Sequence, residues 1–239
     1  MVPIAAVILT DPTRTTFAGI ELNERAAHIA HRAGIFDVHF VGDAPPSDDG
    51  LVRLRHAGWR VTITVKNGRP LEDAPLAKTV VVLPARTIIE PAALVAIMQQ
   101  ASARAEDPAL VVAPQERRKS HVLRIVDDTV TSVMGDGNAV STGIAILPEA
   151  SLARVRRVWD YSDAIHRLAK TGSLRALAAT DWFCVPLDAR SDIGALERDY
   201  LSHTGRREGL LTTGARSFAA MVSQWWNETP LTYRSPARA

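Results

Sequence analysis

The sequence of 239 residues predicts a three-layer α/β/α domain built on a mostly parallel, mixed sheet. The first observation is that apolar, β-rich segments alternate with helical patterns through the first half of the chain, which is typical of βαβ units. The second is the length, which suits one large α/β domain. The third is the composition, because 46% hydrophobic and 23% charged residues are ordinary for a globular protein.

Four buried strands are predicted to form the parallel part of this sheet. We place them at Ile4 to Leu9, Val38 to Val41, Val61 to Val65 and Thr79 to Leu83. The last of these is continuously apolar, as expected of a strand that is covered on both faces. A helix that stops at Gly34 and another that begins near Pro91 are predicted as crossover connections.

The second half of the chain predicts further strands and two more helices. The predicted strands are Ala109 to Ala113, a hairpin of His121 to Val126 and Thr129 to Met134 that turns at Asp127-Asp128, and Gly143 to Leu147. Helices are expected near residues 149–158 and 162–170. We expect Gly143 to begin a core strand that is adjacent to the first and fourth strands, with Ser141 and Thr142 at the mouth of a cleft.

Residues 202–239 are predicted to form a basic amphipathic helical tail after a domain that spans residues 1–201. The tail holds five arginines and two glutamates, whereas the whole chain has a formal charge of only +2. Phe218, Val222 and Trp225 fall on one helical face. The segment 210–226 is therefore expected to dock on the domain or to contact a partner or a membrane surface.

Composition also limits the compartment and the class of partner. Cys184 is the single cysteine, so no internal disulfide is possible, and a cytoplasmic location is expected. The N-terminal apolar run is interpreted as a strand because no basic region precedes it, and no later run has the length of a membrane span. The sequence has no basic stripe interleaved with aromatics, which argues against a nucleic-acid partner.

Common catalytic motifs are missing from the sequence. It contains no Walker loop, no G-x-S-x-G elbow, no H-E-x-x-H and no G-x-G-x-x-G. It also lacks an Asp-x-Asp pair, which argues against a metal-dependent glycosyltransferase. His28 and His31 are one helical turn apart, but no further ligand lies at metal-site spacing beside them. Only the order of the segments remains as an indication of function.

Four segments carry that indication. They are Val7 to His39, which includes the loop Thr10 to Arg14; Val81 to Arg86; Ser141 to Ile144; and Trp182 to Glu197. In this order the chain resembles the nucleotidyltransferase superfamily, and within it the cytidylyltransferase domains that activate inositol phosphate or related phospho-alcohols. The resemblance covers about residues 4–201. It implies a Rossmann-like sheet of the nucleotidyltransferase type.

The resemblance also implies a reaction and a set of site residues. The reaction is transfer of a nucleotidyl group, with CTP favoured, to a phosphorylated small alcohol or sugar. The implied nucleotide-binding residues are Leu9, Thr10, Asp11, Thr13, Arg14 and Arg86, and the implied acceptor-binding residues are Asp136, Asn138, Ser141, Thr142 and Gly143. Arg14 and Asp188 take catalytic roles in this interpretation. Asp188 would also hold Mg²⁺.

The loop after the first strand departs from the family pattern. Glycine lets backbone N–H groups approach phosphates because it has no Cβ and adopts positive φ. The segment Thr10 to Arg14 contains no glycine, and Pro12 has no N–H to donate. Arg14 either faces a phosphate or is a solvated loop charge. No lysine follows it before Lys66, so the phosphate cradle is predicted to be weakened.

The implied metal site departs from the family pattern as well. Arg86 stands where the family has a carboxylate, and a guanidinium cannot ligate Mg²⁺. Asp188 either keeps the second metal-binding role or caps a helix that begins near Ser191. Asp136 and Asn138 either line an acceptor pocket or belong to a plain turn.

These departures leave a second function open beside nucleotidyl transfer. The alternative is a catalytically impaired homologue that acts as a binding or scaffold protein in a lipid head-group pathway. On either interpretation we expect nucleotide binding to depend little on Mg²⁺, because Arg86 replaces a metal ligand by a cation that can bind phosphate itself.

Overall fold

The computed structural model describes residues 4–56, 59–64, 69–72, 74–75, 77–114, 122–133, 137–179, 182–188 and 190–207. In chain order its strands are β1 (Ile4–Leu9), β2 (Thr16–Phe17), β3 (Ile20–Glu21), β4 (Asp37–Val41), β5 (Arg60–Thr64), β6 (Thr79–Pro84), β7 (Thr87–Ile89), β8 (Ala109–Pro114), β9 (Val122–Val126), β10 (Thr129–Ser132), β11 (Ala139–Pro148), β12 (Arg175–Ala178) and β13 (Cys184–Pro186). The helices are α1 (Leu22–Arg32), α2 (Asp48–His56), α3 (Pro91–Ser102), α4 (Glu149–Val155), α5 (Tyr161–Lys170) and α6 (Ile193–Arg207).

One nine-stranded sheet organises these elements, in the order β5-β4-β1-β6-β11-β8-β12-β10-β9. Strands β5, β4, β1 and β6 pair in parallel, and β12 pairs in parallel with β8. Strand β11 is antiparallel to both β6 and β8, and β10 is antiparallel to β12 and β9. All strands of this sheet except β10 and β11 therefore run in one direction. The predicted mostly parallel, mixed sheet is confirmed.

Helices cover both faces of the sheet, as the three-layer prediction requires. On one face, Ala6 and Ile8 of β1 belong to a core that includes buried residues of α1 and α3. On the other face, Ala5 and Val7 belong to a core that includes buried residues of α4 and α5. Because successive side chains of a strand point to opposite faces, both sides of β1 are apolar. This explains why its sequence shows no polar alternation.

The predicted strands of the first half lie within one or two residues of the observed ones. The hairpin prediction is also confirmed, with β9 and β10 joined by Asp127 and Asp128. Both residues have positive φ, 46° and 61°. A two-residue turn of this kind matches the right-handed twist of the strands, and aspartate tolerates the left-handed region better than most residues.

The prediction for Gly143 is wrong in two respects. Strand β11 begins at Ala139, so Gly143 lies inside it, where the register with β8 shifts between Ser141 and Ala145. The strand lies beside β6, the fourth predicted strand, but β6 separates it from β1. The reason is that β1 already pairs with β4 and β6 on its two edges, so no edge remains for a third neighbour.

Helix α6 continues past the predicted domain boundary at residue 201 and ends at Arg207. Its residue Tyr200 contacts Phe17 and Phe183 edge to face, with ring centroids 5.6 and 5.2 Å apart. The predicted apolar face of the tail and the segment 210–226 lie outside the described residues. Among the helices that are described, none is both long enough and apolar enough to cross a membrane.

Candidate functional site

The candidate site lies where β1 and β6 end side by side at the carboxyl edge of the sheet. Loops at this edge of an open α/β sheet are the usual place for a ligand. Asp11 follows β1 and Arg86 follows β6, and Arg86 NH1 lies 3.3 Å from Asp11 Oδ1. Arg86 NH2 donates to the carbonyl oxygen of Asp188 at 3.0 Å. Three residues that were predicted from distant segments therefore meet at one point.

The Asp11 carboxylate is buried, with only 1% of the residue exposed. Its Oδ1 accepts a hydrogen bond from the Thr13 N–H at 3.2 Å, and its Oδ2 accepts one from Thr13 Oγ1 at 2.6 Å. Arg86 supplies the positive charge on the same side. A buried carboxylate is strongly disfavoured without such partners. Asp11 is therefore held as the inner half of an ion pair.

Asn23, in the first turn of α1, fixes the backbone of this loop. Its Oδ1 accepts the Asp11 N–H at 2.8 Å, and its Nδ2 donates to the carbonyl oxygens of Asp11 at 3.1 Å and Ala44 at 2.9 Å. The side chain is fully buried. One amide thus satisfies two buried backbone groups of Asp11 and the partly buried Ala44 carbonyl oxygen, and it ties the loop after β1 to the loop after β4.

The loop has few backbone donors left for a phosphate. The Thr10 N–H donates to the Val41 carbonyl oxygen at 3.0 Å, and the Asp11 and Thr13 N–H groups donate to side chains as described above. Pro12 has no N–H. A phosphate at this loop would therefore depend on cationic side chains instead of a backbone cradle.

The other nucleotide-side residues line the same edge. Arg14 is exposed at the tip of the loop, with φ of 50°. The Leu9 carbonyl oxygen accepts the Ala85 N–H at 2.9 Å, which joins the ends of β1 and β6. Thr10 Oγ1 is buried and has no hydrogen-bond partner among the described residues. It faces Gly42, where an added Cβ would lie 2.2 Å from that oxygen.

Asp188 forms a local turn next to Arg86. Its Oδ1 accepts hydrogen bonds from the Arg190 N–H at 2.9 Å and from Ser191 Oγ at 3.0 Å. The helix-capping role lies elsewhere, because Asp192 Oδ1 accepts the Ala195 N–H at the start of α6. Asp188 therefore orders the segment whose carbonyl oxygen accepts from Arg86.

The Asp11 carboxylate does not fit a magnesium ion, whereas a metal-binding role of Asp188 stays a prediction. Both oxygens of Asp11 already accept hydrogen bonds, and the Arg86 guanidinium lies against one of them. A cation at this point would be repelled by Arg86. Within the described ranges, no group of three or more His, Cys, Asp or Glu residues is arranged to hold a metal ion.

On the acceptor side, β11 is kinked at Gly143, whose φ is 77°. Ser141 Oγ accepts the Gly143 N–H at 3.1 Å, and the Gly143 carbonyl oxygen accepts from Tyr161 OH at 2.7 Å. Thr142 is buried, and its Oγ1 donates to the Val111 carbonyl oxygen at 2.8 Å. Thr87 Oγ1 donates to the Thr142 carbonyl oxygen at 2.6 Å. Hydroxyl groups therefore hold the kink in place.

The remaining predicted acceptor residues are less informative. Asn138 is exposed, and its amide bonds both backbone groups of Ile125, with Oδ1 3.0 Å from the N–H and Nδ2 3.2 Å from the carbonyl oxygen. It thereby fastens β9 to the start of β11. Asp136 lies outside the described residues. Acceptor binding by either residue stays a prediction.

Burial keeps two ionisable groups of the acceptor side neutral. Burial raises the pKa of the Cys184 thiol to about 12, although a hydrogen bond with Thr142 acts in the opposite direction. Burial also raises the pKa of Tyr161 far above its ordinary value. Both groups are protonated at neutral pH, so neither is a ready nucleophile or base.

Sequence reasoning missed three residues that shape the site, namely Asn23, Thr87 and Tyr161. Asn23 had one local sign, because it opens a helix directly downstream of a loop that lacks glycine. Thr87 and Tyr161 act on backbone groups 55 and 18 residues away in the sequence. No local pattern marks such contacts.

Comparison with known proteins identifies the fold. No protein-family model and no curated protein sequence matches the chain. A solved structure from Bacillus anthracis, assigned as a glucose-1-phosphate thymidylyltransferase in complex with sucrose, is 11% identical with a TM-score of 0.69, over 90% of this chain and 99% of that one. The inositol-1-phosphate CTP transferase from T. maritima is 13% identical with a TM-score of 0.59, over 83% and 96%.

HddC from Yersinia pseudotuberculosis, in complex with GMP-PN, is similar too. It is 14% identical with a TM-score of 0.60, over 84% of this chain and 100% of that chain. At such identities the likeness establishes the fold and nothing finer. The chain therefore has the nucleotidyltransferase fold, as its sequence resemblance implied. The names and ligands of these three proteins refer to thymidine, cytidine and guanosine nucleotides, so the fold does not select a base.

Proposed function

We propose that this protein binds a nucleoside triphosphate, with CTP favoured, at the edge formed by the loops after β1 and β6. We further propose that it does not transfer the nucleotidyl group at the rate of an active enzyme. The observation that carries the proposal is the ion pair between Arg86 and Asp11, with NH1 and Oδ1 3.3 Å apart. It puts a fixed cation where the family resemblance implies a metal-binding carboxylate.

The physical argument separates binding from turnover. Nucleotidyl transfer requires an acceptor phosphate in line with the α-phosphate, together with neutralisation of the charge that develops there. A divalent metal normally contributes both charge and orientation. A guanidinium can bind phosphate oxygens by paired hydrogen bonds, but it does not bridge and orient several phosphates as a metal does. Binding is therefore expected to survive where turnover does not.

The proposal extends to the nucleotide, the acceptor and the cellular role. CTP is favoured because the sequence resembles cytidylyltransferase domains, and a protein named as a CTP transferase is among the similar folds. A phosphorylated small alcohol or sugar would lie near Ser141, Thr142 and Gly143. A cytoplasmic location and a role in a lipid head-group pathway are predictions of the same kind.

Calorimetric titration with CTP, dTTP, GTP and ATP tests the binding proposal. Arg86→Gln should weaken the binding of CTP about tenfold to a hundredfold, because it removes charge-assisted hydrogen bonds. Arg60→Gln is the matched control. Arg60 also pairs with an aspartate, Asp37, at 3.5 Å, but at the amino end of β5, on the opposite edge of the sheet. Its substitution should leave CTP binding unchanged.

Two results would contradict the proposal. If no triphosphate binds, the edge is not a nucleotide site. If the unmodified protein releases pyrophosphate rapidly with Mg²⁺, and substitution of both Arg86 and Asp188 has no effect, the active site lies elsewhere.

A second candidate function is active nucleotidyl transfer, and the intact acceptor side favours it. The kink at Gly143 and its hydroxyl contacts are fully formed. If the unmodified protein is impaired instead, Arg86→Asp, which places a carboxylate at the end of β6, should introduce Mg²⁺-dependent pyrophosphate release, measured with CTP and inositol 1-phosphate. Enzyme-like release by the unmodified protein that is lost in Arg86→Gln would replace the binding function by this one.

A further inference from the structure

We infer that the site takes its phosphate ligand in the metal-free form, so that Mg²⁺ competes with binding instead of assisting it. This inference rests on the proposed binding site and concerns the form of its ligand. It goes beyond the sequence-based expectation that binding is merely indifferent to Mg²⁺. Three features of the edge between β1 and β6 support it.

The first feature is the accessibility of Arg86. The side chain is 35% exposed, whereas that of its partner Asp11 is only 1% exposed. A guanidinium has five N–H donors. Arg86 uses two hydrogen bonds among the described residues, to Asp11 Oδ1 and to the Asp188 carbonyl oxygen. The remaining donors allow it to bind a phosphate from solvent while the inner ion pair stays in place.

The second feature is that Asp11 cannot turn outward to meet a metal. Its oxygens accept from Thr13 N, from Thr13 Oγ1 and from Arg86, and its backbone is held on both sides by Asn23. To ligate a metal, this carboxylate would have to give up contacts that stabilise a buried charge. Asp188 Oδ1 is likewise engaged by Arg190 and Ser191.

The third feature is the sign of the charge that a ligand meets. Metal-free triphosphate presents its full negative charge to Arg86 and to the exposed Arg14. A magnesium complex of the same triphosphate carries less negative charge and brings a dication close to the Arg86 guanidinium. At a separation of a few ångströms this repulsion is large even at a protein surface. Mg²⁺ therefore subtracts from the attraction, and both oxygens of the buried Asp11 carboxylate are already engaged by Thr13 and Arg86.

The experiment is calorimetric titration of the full chain with two probes, CTP and inorganic triphosphate. Each probe is titrated in chelator and in excess Mg²⁺ at matched ionic strength. Wild type should bind both probes at least about tenfold more weakly with Mg²⁺. In Arg86→Gln the Mg²⁺ effect should become much smaller, because only Arg14 remains to attract the metal-free probe, and in Arg86→Asp its sign should reverse. Arg60→Gln should behave as wild type, and circular dichroism should show that each variant is folded.

The outcomes separate this inference from the proposed function. If CTP binds wild type and Mg²⁺ tightens the binding or leaves it unchanged, the inference is overturned and the nucleotide site stands. A third outcome is that no nucleotide binds, but inorganic triphosphate binds through Arg86 and does so more weakly in Mg²⁺. The inference then stands and the nucleotide proposal is wrong. If neither probe binds, both are overturned.

Discussion

The nucleotide side and the acceptor side, which are named here for the roles that the sequence predicts, lie at the same edge of the sheet but are held in different ways. On the nucleotide side, the loop after β1 keeps its shape through charged and amide side chains, chiefly Asp11, Asn23 and Arg86. On the acceptor side, a glycine kink in β11 is held by hydroxyl groups. The first arrangement uses the backbone N–H groups of Thr10, Asp11 and Thr13, so a phosphate there depends on cationic side chains, whereas the second is a deformation of one strand.

The two sides should therefore lose stability in different ways when a residue is substituted. Buried amide and ionic contacts fail abruptly when one partner is removed, because the other is left unsatisfied in a dry environment. At a backbone kink, the loss of stability grows gradually with the strain that an added side chain introduces. The nucleotide side should therefore show the larger responses to substitution.

The largest effect is expected for Asn23→Ala. The substitution leaves the Asp11 N–H and the carbonyl oxygens of Asp11 and Ala44 without their partner in a buried site. We expect the free energy of unfolding to fall by about 4 kcal/mol, measured by urea denaturation. Asn138→Ala is the matched control, since Asn138 also bonds two backbone groups, the N–H and the carbonyl oxygen of Ile125, but is exposed.

For Asn138→Ala, water can replace the lost contacts, so a loss of only about 1 kcal/mol is expected. If both variants lose the same free energy of unfolding, the proposed difference in how the two sides respond to substitution is wrong.

The second effect is acid sensitivity of α1, the helix that carries Asn23. Burial raises the pKa of Glu24, but the hydrogen bonds and charges of Arg53 and His28 outweigh it and bring the pKa to about 2, against 4.5 for the ordinary group. Arg53 donates to both Glu24 oxygens, at 2.8 and 2.6 Å. Because the folded-state pKa is depressed, the stabilisation is present above pH 4.5 and is lost as the pH falls from 4.5 towards 2.

This contribution amounts to about 3 kcal/mol at neutral pH. Urea denaturation across that acid range should show the loss in wild type and a flatter profile in Glu24→Gln. If the two proteins lose stability in parallel, Glu24 is not the group that responds to acid.

The smallest effect is expected on the acceptor side, for Gly143→Ala. At φ of 77° an alanine is strained, and its Cβ would lie 2.8 Å from Pro84 Cγ. Together these costs are about 2 kcal/mol of unfolding free energy. Gly19→Ala provides the control, because Gly19 has φ of 78° with nothing within 4 Å of the added Cβ.

The difference between these two variants isolates the contact with Pro84. Thermal denaturation should give a lower melting temperature for Gly143→Ala than for Gly19→Ala. The reverse order would mean that the kink of β11 relaxes more easily than the hairpin of β2 and β3.

Much of the fold could be predicted from the sequence because buried strands and helices have recognisable patterns of apolar residues. Strands covered on both faces are continuously apolar, as in β1 and β6, and the helices next to them show one apolar face. The position of β11 could not be predicted in the same way. Its neighbours are chosen by hydrogen bonding between distant segments, such as Ala145 with Val82 and Leu110.

The candidate site also has features that the sequence shows and features that only the structure shows. The sequence by itself determined that the loop after β1 lacks glycine, that an arginine stands at position 86, where the family resemblance implies a carboxylate, and which segments end in polar residues. Only the tertiary structure decided that Arg86 pairs with Asp11, 75 residues away, and that Asn23 uses the loop's backbone groups. The physical reason is that ionic attraction and desolvation depend on separation and burial in space, which a local pattern of residue types does not contain.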